Sequence, residues 1–372
     1  MNDKIKIIIV DDSITYRQIM LAVIDKISDA QCVATAASGQ IALRKIDELQ
    51  PDLVLLDVVM PDMDGVATLQ QIKQAHPSIE AIMISSFDMN NAKETLRSLQ
   101  IGALDFIAKP KVSQPEQGIE ELVQYLKPFI DLLQTKKYAR LSQRRPLIPV
   151  VESSIEKITP PTTIKQSIAS PALGALTQKR KFDLIVIGIS TGGPKALDQL
   201  IPQLTAQLPC PVIIVQHMPP MFTESLAIKL NEISPLSVSE VKGGEKLNDG
   251  HIYIAQGGKH LIIRSHLEGG FYLAITDAPP VNNCRPSVDV LFQSVAASFK
   301  GKVLAIIMTG MGRDGTEGVR SLKQKGAMCL IQDQDSSIVW GMPGSVYEAG
   351  LADEIVPLHR LSQKIMQLVM AR

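Results

Sequence analysis

Short runs of β-branched and aliphatic residues alternate with amphipathic segments through the first part of the chain. Five runs predict buried strands, at 4–10, 32–36, 53–56, 81–85 and 105–107. Helical patterns lie between and after them, at 13–27, 39–49, 66–75, 92–99 and 115–133. Strands that alternate with helices of this length indicate a parallel sheet covered on both faces. We therefore predict a doubly wound α/β domain over residues 1–130.

The pattern changes after this domain. Residues 131–180 contain five prolines and many Ser, Thr, Gln and Lys residues without sustained periodicity, which predicts a linker. Strand patterns resume at 182–190, 211–216, 236–241, 251–255, 260–264, 271–276, 302–309 and 327–332. Helical patterns lie at 194–208, 223–233, 287–299, 316–325 and 358–369. They predict a second, mostly parallel doubly wound α/β domain over 181–372, with an antiparallel hairpin or edge within 236–276.

Composition and charge limit the classes of function. The 372 residues suit two or three domains, and 38 basic residues balance 38 acidic ones. With aromatic residues at 4%, this balance disfavours a nucleic-acid partner. No stretch resembles a secretory signal or a membrane-spanning helix, so we expect a cytoplasmic protein without membrane insertion, and a monomer. The four cysteines lack CxxC spacing, which is typical of reduced and mostly buried thiols.

Acidic residues follow two strands of the first domain. Asp11 and Asp12 end the first predicted strand, and Asp57 ends the third. Because the carboxyl ends of parallel strands share one edge, we expect these carboxylates to converge where Mg²⁺ would offset their repulsion. Lys109 follows the fifth strand and Ser85 ends the fourth, so both belong to the same edge. The alternative is that the acids are helix N-caps and turn residues.

A serine stands in a glycine-rich turn at the start of the second domain. Ser190 lies within Gly188-Ile189-Ser190-Thr191-Gly192, a G-x-S-x-G pattern between a strand and a helix, which is typical of a nucleophile. The helix N-terminus that follows favours negative charge. Such a turn could instead bind a phosphate or a dinucleotide, although neither full glycine pattern for those ligands is present.

A serine nucleophile needs a base and an acid that orients the base. His217 is the histidine placed most clearly at the carboxyl end of a strand, whereas His251, His260, His266 and His359 are expected to be structural or exposed. Asp314 follows another buried strand in a glycine-rich loop and is the candidate acid. The order Ser190, His217, Asp314 differs from the Ser–acid–His order of α/β-hydrolases.

The first domain resembles a response-regulator receiver over residues 4–128. The matching motifs are V-D-D-S, D-x-x-M-P-x-M-D-G and the Lys109-Pro110 pair. The resemblance implies a flavodoxin-like, five-stranded parallel fold with Asp57 as the phosphoacceptor. It also implies that Asp11, Asp12 and Asp57 hold Mg²⁺ with the carbonyl of Val59. Lys109 and Ser85 would then contact the phosphoryl group, with Ser85 as the switch hydroxyl.

The second domain resembles the catalytic domain of the chemotaxis protein-glutamate methylesterase (CheB) family over about residues 182–370. The segments GISTGGP, VQHMP, NCRPSVDVLF, MTGMGRDG and QDQDSSIVWGMP carry this resemblance. It implies Ser190 as nucleophile, His217 as general base and Asp314 as its orienting acid, with no cofactor at this site. Met311 would contribute to the oxyanion hole near Thr191 and Gly192, and Arg285 would border the substrate groove. One departure is Ala255-Gln256-Gly257, where the family often has A-P-G.

The combined resemblance implies a phosphorylation-activated serine esterase. Its substrates would be glutamyl methyl esters on methyl-accepting chemotaxis receptors, with deamidation of receptor glutamines as a second activity. A chemotaxis histidine kinase would be the phosphodonor, and the receiver would pack over the catalytic face until it is phosphorylated. The alternatives are a receiver-controlled binding module without turnover, an enzyme that hydrolyses small esters, and a methylesterase-like hydrolase of another chemosensory pathway.

Overall fold

The structure is a computed structural model that describes residues 4–86, 88–109, 115–143, 182–266 and 269–370. The first unit alternates strands with helices from its first residues to its last. Its strands are β1 (Ile5–Val10), β2 (Ala30–Ala36), β3 (Leu53–Asp57), β4 (Glu80–Ser85) and β5 (Asp105–Ala108). Its helices are α1 (Ile14–Asp25), α2 (Gly39–Leu49), α3 (Gly65–Ala75), α4 (Met89–Ile101) and α5 (Pro115–Gln143).

The strands of the first unit form one parallel sheet in the order β2-β1-β3-β4-β5. β3 is buried along its whole length, which explains its continuous aliphatic sequence. Asp64 and Asp88 begin α3 and α4 by accepting hydrogen bonds from the backbone N–H groups of Ala67 and Asn91. The predicted five-stranded, doubly wound parallel fold is confirmed.

The second unit is larger and also α/β. Its strands are β6 (Leu184–Ile189), β7 (Val212–Gln216), β8 (Ser237–Glu240), β9 (His251–Ile254), β10 (His260–Ser265), β11 (Phe271–Thr276), β12 (Val303–Ile307), β13 (Met328–Gln332) and β14 (Glu354–Val356). Its helices are α6 (Gly193–Leu200), α7 (Phe222–Ile233), α8 (Val288–Ser298), α9 (Thr316–Lys323), α10 (Gly341–Glu348) and α11 (Leu358–Met370). A short 3₁₀ turn follows α6 at Ile201–Gln203.

Seven of these strands form a parallel sheet in the order β14-β13-β12-β6-β7-β9-β8. β10 and β11 pair separately as an antiparallel hairpin, as the sequence predicts for part of 236–276. β8 and β9, in contrast, pair parallel and form the edge of the main sheet. The mostly parallel second domain with a hairpin is therefore confirmed.

Two helices end at other residues than the sequence analysis predicts, and two elements were not predicted. α5 continues to Gln143, so residues 131–143 of the predicted linker are helical, whereas 144–180 lie outside the described residues, as does Pro110. The helix predicted at 194–208 ends early, because Pro202 lacks the N–H that would extend it. The sequence analysis missed α10 and β14.

The two units pack through α4 and β5 of the first and α6 and α7 of the second. The rings of Phe106 on β5 and Phe222 on α7 are stacked, with centroids 4.6 Å apart and an interplanar angle of 11°. Gln100 on α4 donates to Asp198 on α6 at 3.2 Å. Within the described ranges, no helix has the length and apolar character needed to cross a membrane.

Candidate functional site

Three carboxylates converge at the carboxyl edge of the first sheet, as predicted. Asp11 and Asp12 follow β1, Asp57 ends β3, and oxygens of all three lie within 4.8 Å of one another. Lys109 follows β5 and places its ammonium 2.7 Å from Asp57 Oδ2 and 2.9 Å from Asp11 Oδ2. The parallel topology therefore brings one cation against two buried acids.

The local environment shifts the titration of Asp57. Burial raises its pKa to about 6; Lys109 lowers the pKa and the nearby Asp11 raises it. The start of α3 lies close to the end of β3, and this depends on Gly65, since a Cβ there would lie 2.0 Å from the Asp57 carbonyl oxygen. The glycine of the D-x-x-M-P-x-M-D-G motif is therefore required by packing.

Ser85 is fully buried at the end of β4, on the same edge. Its Oγ lies 2.9 Å from the Thr95 hydroxyl on α4. Since α4 packs against α7 of the second unit, this hydrogen bond connects the acidic edge to the surface between the units. The structure therefore places Ser85 where a change at Asp57 could reach the other domain.

The second sheet places its candidate residues on three neighbouring strands. Ser190 follows β6, His217 follows β7, and Asp314 lies in the loop after β12, which flanks β6 on its other side. The turn at Ser190 is tight: Ser190 N–H donates to the Thr309 carbonyl at 3.0 Å, and Gly192 has φ 75°. A Cβ at Gly193 would lie 1.8 Å from Gln216 Oε1, so a larger residue there would displace the buried Gln216 side chain.

His217 and Asp314 form a close pair. His217 Nε2 lies 2.8 Å from Asp314 Oδ2, and His217 Nδ1 lies 3.6 Å from the sulfur of Cys284. Burial lowers the pKa of His217, but Asp314 and Cys284 outweigh it and raise the pKa to about 9. Among the described residues, no hydrogen bond joins the Ser190 hydroxyl to this ring.

The start of α8 holds the Asp314 carboxylate in place. Val288 N–H donates to Oδ2 at 2.7 Å, while the Ser287 hydroxyl and Asp289 N–H donate to Oδ1 at 2.8 and 3.2 Å. The Asn282 amide adds a donor at 3.0 Å. Burial raises the pKa of Asp314, but its hydrogen bonds and His217 outweigh burial and hold that pKa below its usual range.

Sequence reasoning missed this support. The sequence analysis did not predict that Asn282, Ser287 and Asp289 hold Asp314. The NCRPSVDVLF segment was the available signal, because Ser287 followed by a helical pattern is typical of an N-cap. Ser287 does cap α8, since its oxygen accepts from Val290 N–H at 3.4 Å.

The remaining predicted residues lie near the site in different settings. Thr191 is buried with its hydroxyl towards Asp105 of the first unit, and Gly192 begins α6. Met311 packs against the core of the first unit. Arg285 donates to the carbonyls of Asp277 and Ala278, both at 3.3 Å, so its guanidinium binds its own loop in this structure.

Two other histidines, His251 and His260, have structural contacts. His260 is buried, accepts from Ser287 N–H at 3.2 Å through Nδ1 and lies 2.9 Å from the Pro279 carbonyl through Nε2. His251 Nε2 lies 2.8 Å from the Ser239 hydroxyl. His260 therefore supports the loop that holds Asp314.

Comparisons with known proteins match both units. The CheB methylesterase family matches residues 185–365, and the response regulator receiver domain matches residues 7–122. A protein-glutamate methylesterase/protein-glutamine glutaminase of Desulfotalea psychrophila is 40% identical over 366 residues, covering 98% of each chain. One from Trichodesmium erythraeum is 39% identical over 369 residues, covering 98% of this chain and 99% of its own.

A solved structure adds a further likeness. The crystal structure of the Thermotoga maritima CheB methylesterase catalytic domain is 40% identical, with a TM-score of 0.49, and covers 51% of this chain and all of that one. The two relatives span almost the whole chain, receiver included. The chain therefore belongs to the protein-glutamate methylesterase/protein-glutamine glutaminase family of receiver-bearing CheB enzymes.

Proposed function

We propose that this protein is a phosphorylation-activated serine esterase that demethylates glutamyl methyl esters on chemoreceptors and deamidates receptor glutamines. The 2.8 Å pair of His217 and Asp314, at the same sheet edge as Ser190, is the observation that carries the proposal. An oriented imidazole beside a serine turn is the arrangement that acyl transfer requires.

Acylation uses the ring nitrogen that Asp314 leaves free. Because Asp314 holds Nε2, Nδ1 takes the Ser190 proton as the serine oxygen bonds to the ester carbonyl carbon. The same nitrogen then protonates the methoxide as the carbon–oxygen bond breaks, and methanol leaves. Backbone N–H groups near Met311, with Thr191 and Gly192 beside it, stabilise the tetrahedral oxyanion.

Deacylation repeats these steps with water. His217 takes a proton from water, hydroxide adds to the glutamyl carbonyl, and Ser190 leaves with the proton from Nδ1. A receptor glutamine gives the same glutamyl-serine intermediate with ammonia as the first product. One site therefore serves both activities, and both end in a free glutamate carboxylate.

The acidic edge of the receiver fits the requirements of Mg²⁺. Its carboxylate oxygens lie within 4.8 Å of one another, and Lys109 is the cation that contacts Asp11 and Asp57 among the described residues. Asp11, Asp12 and Asp57, with the carbonyl of Val59, would hold the ion. When bound, Mg²⁺ neutralises charge on the phosphoryl oxygens. A chemotaxis histidine kinase donates the phosphoryl group to Asp57, and Lys109 pairs with it.

Phosphorylation would relieve a contact between the domains. In this structure Met311 and Ile338, from loops at the catalytic edge, pack against the receiver core. A phosphoryl group on Asp57 pairs with Lys109 and attracts the Ser85 hydroxyl. The movement of Ser85 reaches α4 through its hydrogen bond to Thr95. A shift of α4 and β5 weakens their packing on α7 and favours the open, active form.

Release of methanol from methylated receptors tests the proposal. We expect acetyl phosphate with Mg²⁺ to raise the rate for the full chain. Ser190→Ala should lower kcat on the order of 10⁶-fold, because the nucleophile is lost. An unchanged rate in Ser190→Ala would exclude the esterase mechanism and favour a receiver-controlled binding module. Equal rates on receptors and on small esters would favour a less specific hydrolase.

A further inference from the structure

Cys284 occupies an unexpected position beside the catalytic base. The half-buried residue stands just before α8, and its sulfur lies 3.6 Å from His217 Nδ1. Since Asp314 holds Nε2 at 2.8 Å, both ring nitrogens of His217 have a partner. The nitrogen that should serve Ser190 thus faces a thiol in this structure.

We propose that Cys284 is a positioning residue for His217. Its thiol holds the second ring nitrogen in the resting enzyme and must release that nitrogen to Ser190 before turnover. The inference rests on the proposed roles of Ser190, His217 and Asp314. The loop that carries Cys284 would then limit when His217 can act as a base, independently of phosphorylation.

The loop fixes the thiol firmly in this place. Asn282 and Asn283 have φ of 51° and 60°, and Val281 and Cys284 exchange backbone hydrogen bonds of 2.9 and 3.1 Å across the turn. The Asn282 amide also donates to Asp314 Oδ1 at 3.0 Å and to Asp289 Oδ2 at 2.8 Å. The same turn therefore positions both the Cys284 thiol and the Asp314 carboxylate.

The charges around His217 give this contact a measurable consequence. Burial lowers the pKa of His217, while Asp314 and Cys284, the titratable groups that face the ring, raise it. Asp289 stands behind Asp314, and the Arg285 guanidinium is turned to the carbonyls of Asp277 and Ala278. Without the thiol, the pKa of His217 should fall, so more of the base is neutral near pH 7.

Profiles of kcat/KM against pH for the full chain test this role. We expect Cys284→Ala to move the acid limb to lower pH, where a displacement of one unit changes kcat/KM about tenfold. Cys284→Ser keeps a hydroxyl that stays neutral in this range, so its limb should lie between those of Cys284→Ala and the wild type. The ratio of variant to wild type at each pH cancels effects of pH on substrate and phosphorylation.

Cys32 provides a matched control, because it is a half-buried cysteine of the receiver. The ratio for Cys32→Ala should be independent of pH. A Cys284→Ala profile that superimposes on that of the wild type would overturn the proposal. If instead Ser190→Ala or His217→Ala releases methanol at the wild-type rate, the proposed catalytic triad is wrong. That result differs from one in which these two variants are inactive but Cys284→Ala leaves the acid limb of the pH profile unchanged.

Alkylation supplies a readout that does not depend on a pH limb. When the Cys284 sulfur attacks iodoacetamide, a sulfur–carbon bond forms, iodide leaves and the thiol proton passes to solvent. The added group lies beside the imidazole, so the wild type and Cys32→Ala should lose activity. Cys284→Ala and Cys284→Ser should each retain their own starting rate. Inactivation that proceeds equally in Cys284→Ala, or labelling of Cys284 without loss of activity, would contradict the proposed contact.

Discussion

The receiver and the catalytic domain each place a buried aspartate at the carboxyl edge of a parallel sheet, but with opposite electrostatic results. Asp57 and Asp314 are both 2% exposed. Burial raises the pKa of Asp57 to about 6, whereas hydrogen bonds and His217 hold the pKa of Asp314 below its usual range. Equal burial therefore does not decide the charge state of either acid.

The difference lies in the donors around each carboxylate. Asp314 receives hydrogen bonds from the Ser287 hydroxyl and from N–H groups at the start of α8. Asp57 shares Lys109 with Asp11, which repels it. A fully bonded carboxylate suits a fixed orienting role, and a poorly compensated one suits an acid that gains a cation and a phosphoryl group. The surroundings of Asp314 thus suit an acid that orients a neighbour, and those of Asp57 suit an acid that reacts.

Of the two aspartates, Asp314 should give the larger loss of activity when it is neutralised. In Asp314→Asn the amide cannot accept all the donors that converge on the carboxylate, and it no longer stabilises an imidazolium. We expect kcat to fall roughly 10⁴-fold. The free energy of unfolding should fall by about 1–3 kcal/mol, because N–H groups of α8 lose their acceptor.

Steady-state methanol release and denaturant unfolding measure the two effects of Asp314→Asn separately. Ser287→Ala is the matched control, since it removes one donor and leaves the carboxylate. Its loss of stability should be about 1 kcal/mol. Full activity in Asp314→Asn would show that Asp314 has only a structural role.

Replacing Asp57, the proposed phosphoacceptor, should abolish activation by a phosphodonor and leave ester hydrolysis intact. In Asp57→Asn we expect acetyl phosphate with Mg²⁺ to produce no rise in methanol release, because the nucleophilic oxygen is replaced by an amide nitrogen. The unstimulated rate should match that of the wild type. Asp62→Asn is the control, because Asp62 is an exposed turn residue with φ 66°, which asparagine tolerates. Activation of Asp57→Asn by the phosphodonor would show that another residue accepts the phosphoryl group.

The sequence predicted the sites better than their supports. Ser190, His217 and Asp314 each follow a buried strand, and parallel topology alone puts such positions on one edge. The donors to Asp314 come from the start of α8 and from Asn282 in the loop before it, so no local pattern joins them to Asp314. The stacked pair of Phe106 and Phe222 likewise depends on docking of two units, which strand and helix periods do not encode.

Local sequence also explains the elements that were missed or shortened. α10 contains two glycines and a proline, which conceal its helical character. β14 has three residues and is shorter than the runs that indicate a strand. The end of α5 is rich in charged and polar residues, so its pattern resembles that of the predicted linker.

Weakening the contact between the two units should raise the basal rate by a smaller factor. Phe106→Ala removes the stacked ring from Phe222, an interaction worth about 0.5–1.5 kcal/mol beyond its buried area. The unphosphorylated enzyme should then release methanol roughly twofold to tenfold faster, while the phosphorylated rate stays unchanged. Equal basal rates in variant and wild type would show that this stack does not hold the closed form.

The smallest predicted effect concerns Asp105, a further buried acid, at the contact between the domains. Burial raises its pKa to about 7, although Phe106 N–H and the hydroxyls of Thr191 and Tyr125 lower it. We expect the closed form to bind the proton more tightly than an open one, because docking of the second unit adds to the burial of Asp105. Closure is favoured below about pH 7 and loses this contribution as pH rises through that value.

Asp105→Asn imitates the protonated acid at every pH, so it should close the enzyme more firmly in alkaline buffer. We expect the ratio of its basal methanol release to that of the wild type to be near one at about pH 6 and to fall by about twofold at pH 8. Changes in the ionisation of His217 affect both proteins equally and cancel in this ratio. A ratio that stays constant across the range would mean that Asp105 keeps the same charge in both forms. In that case the contact with Thr191 would take no part in the opening equilibrium.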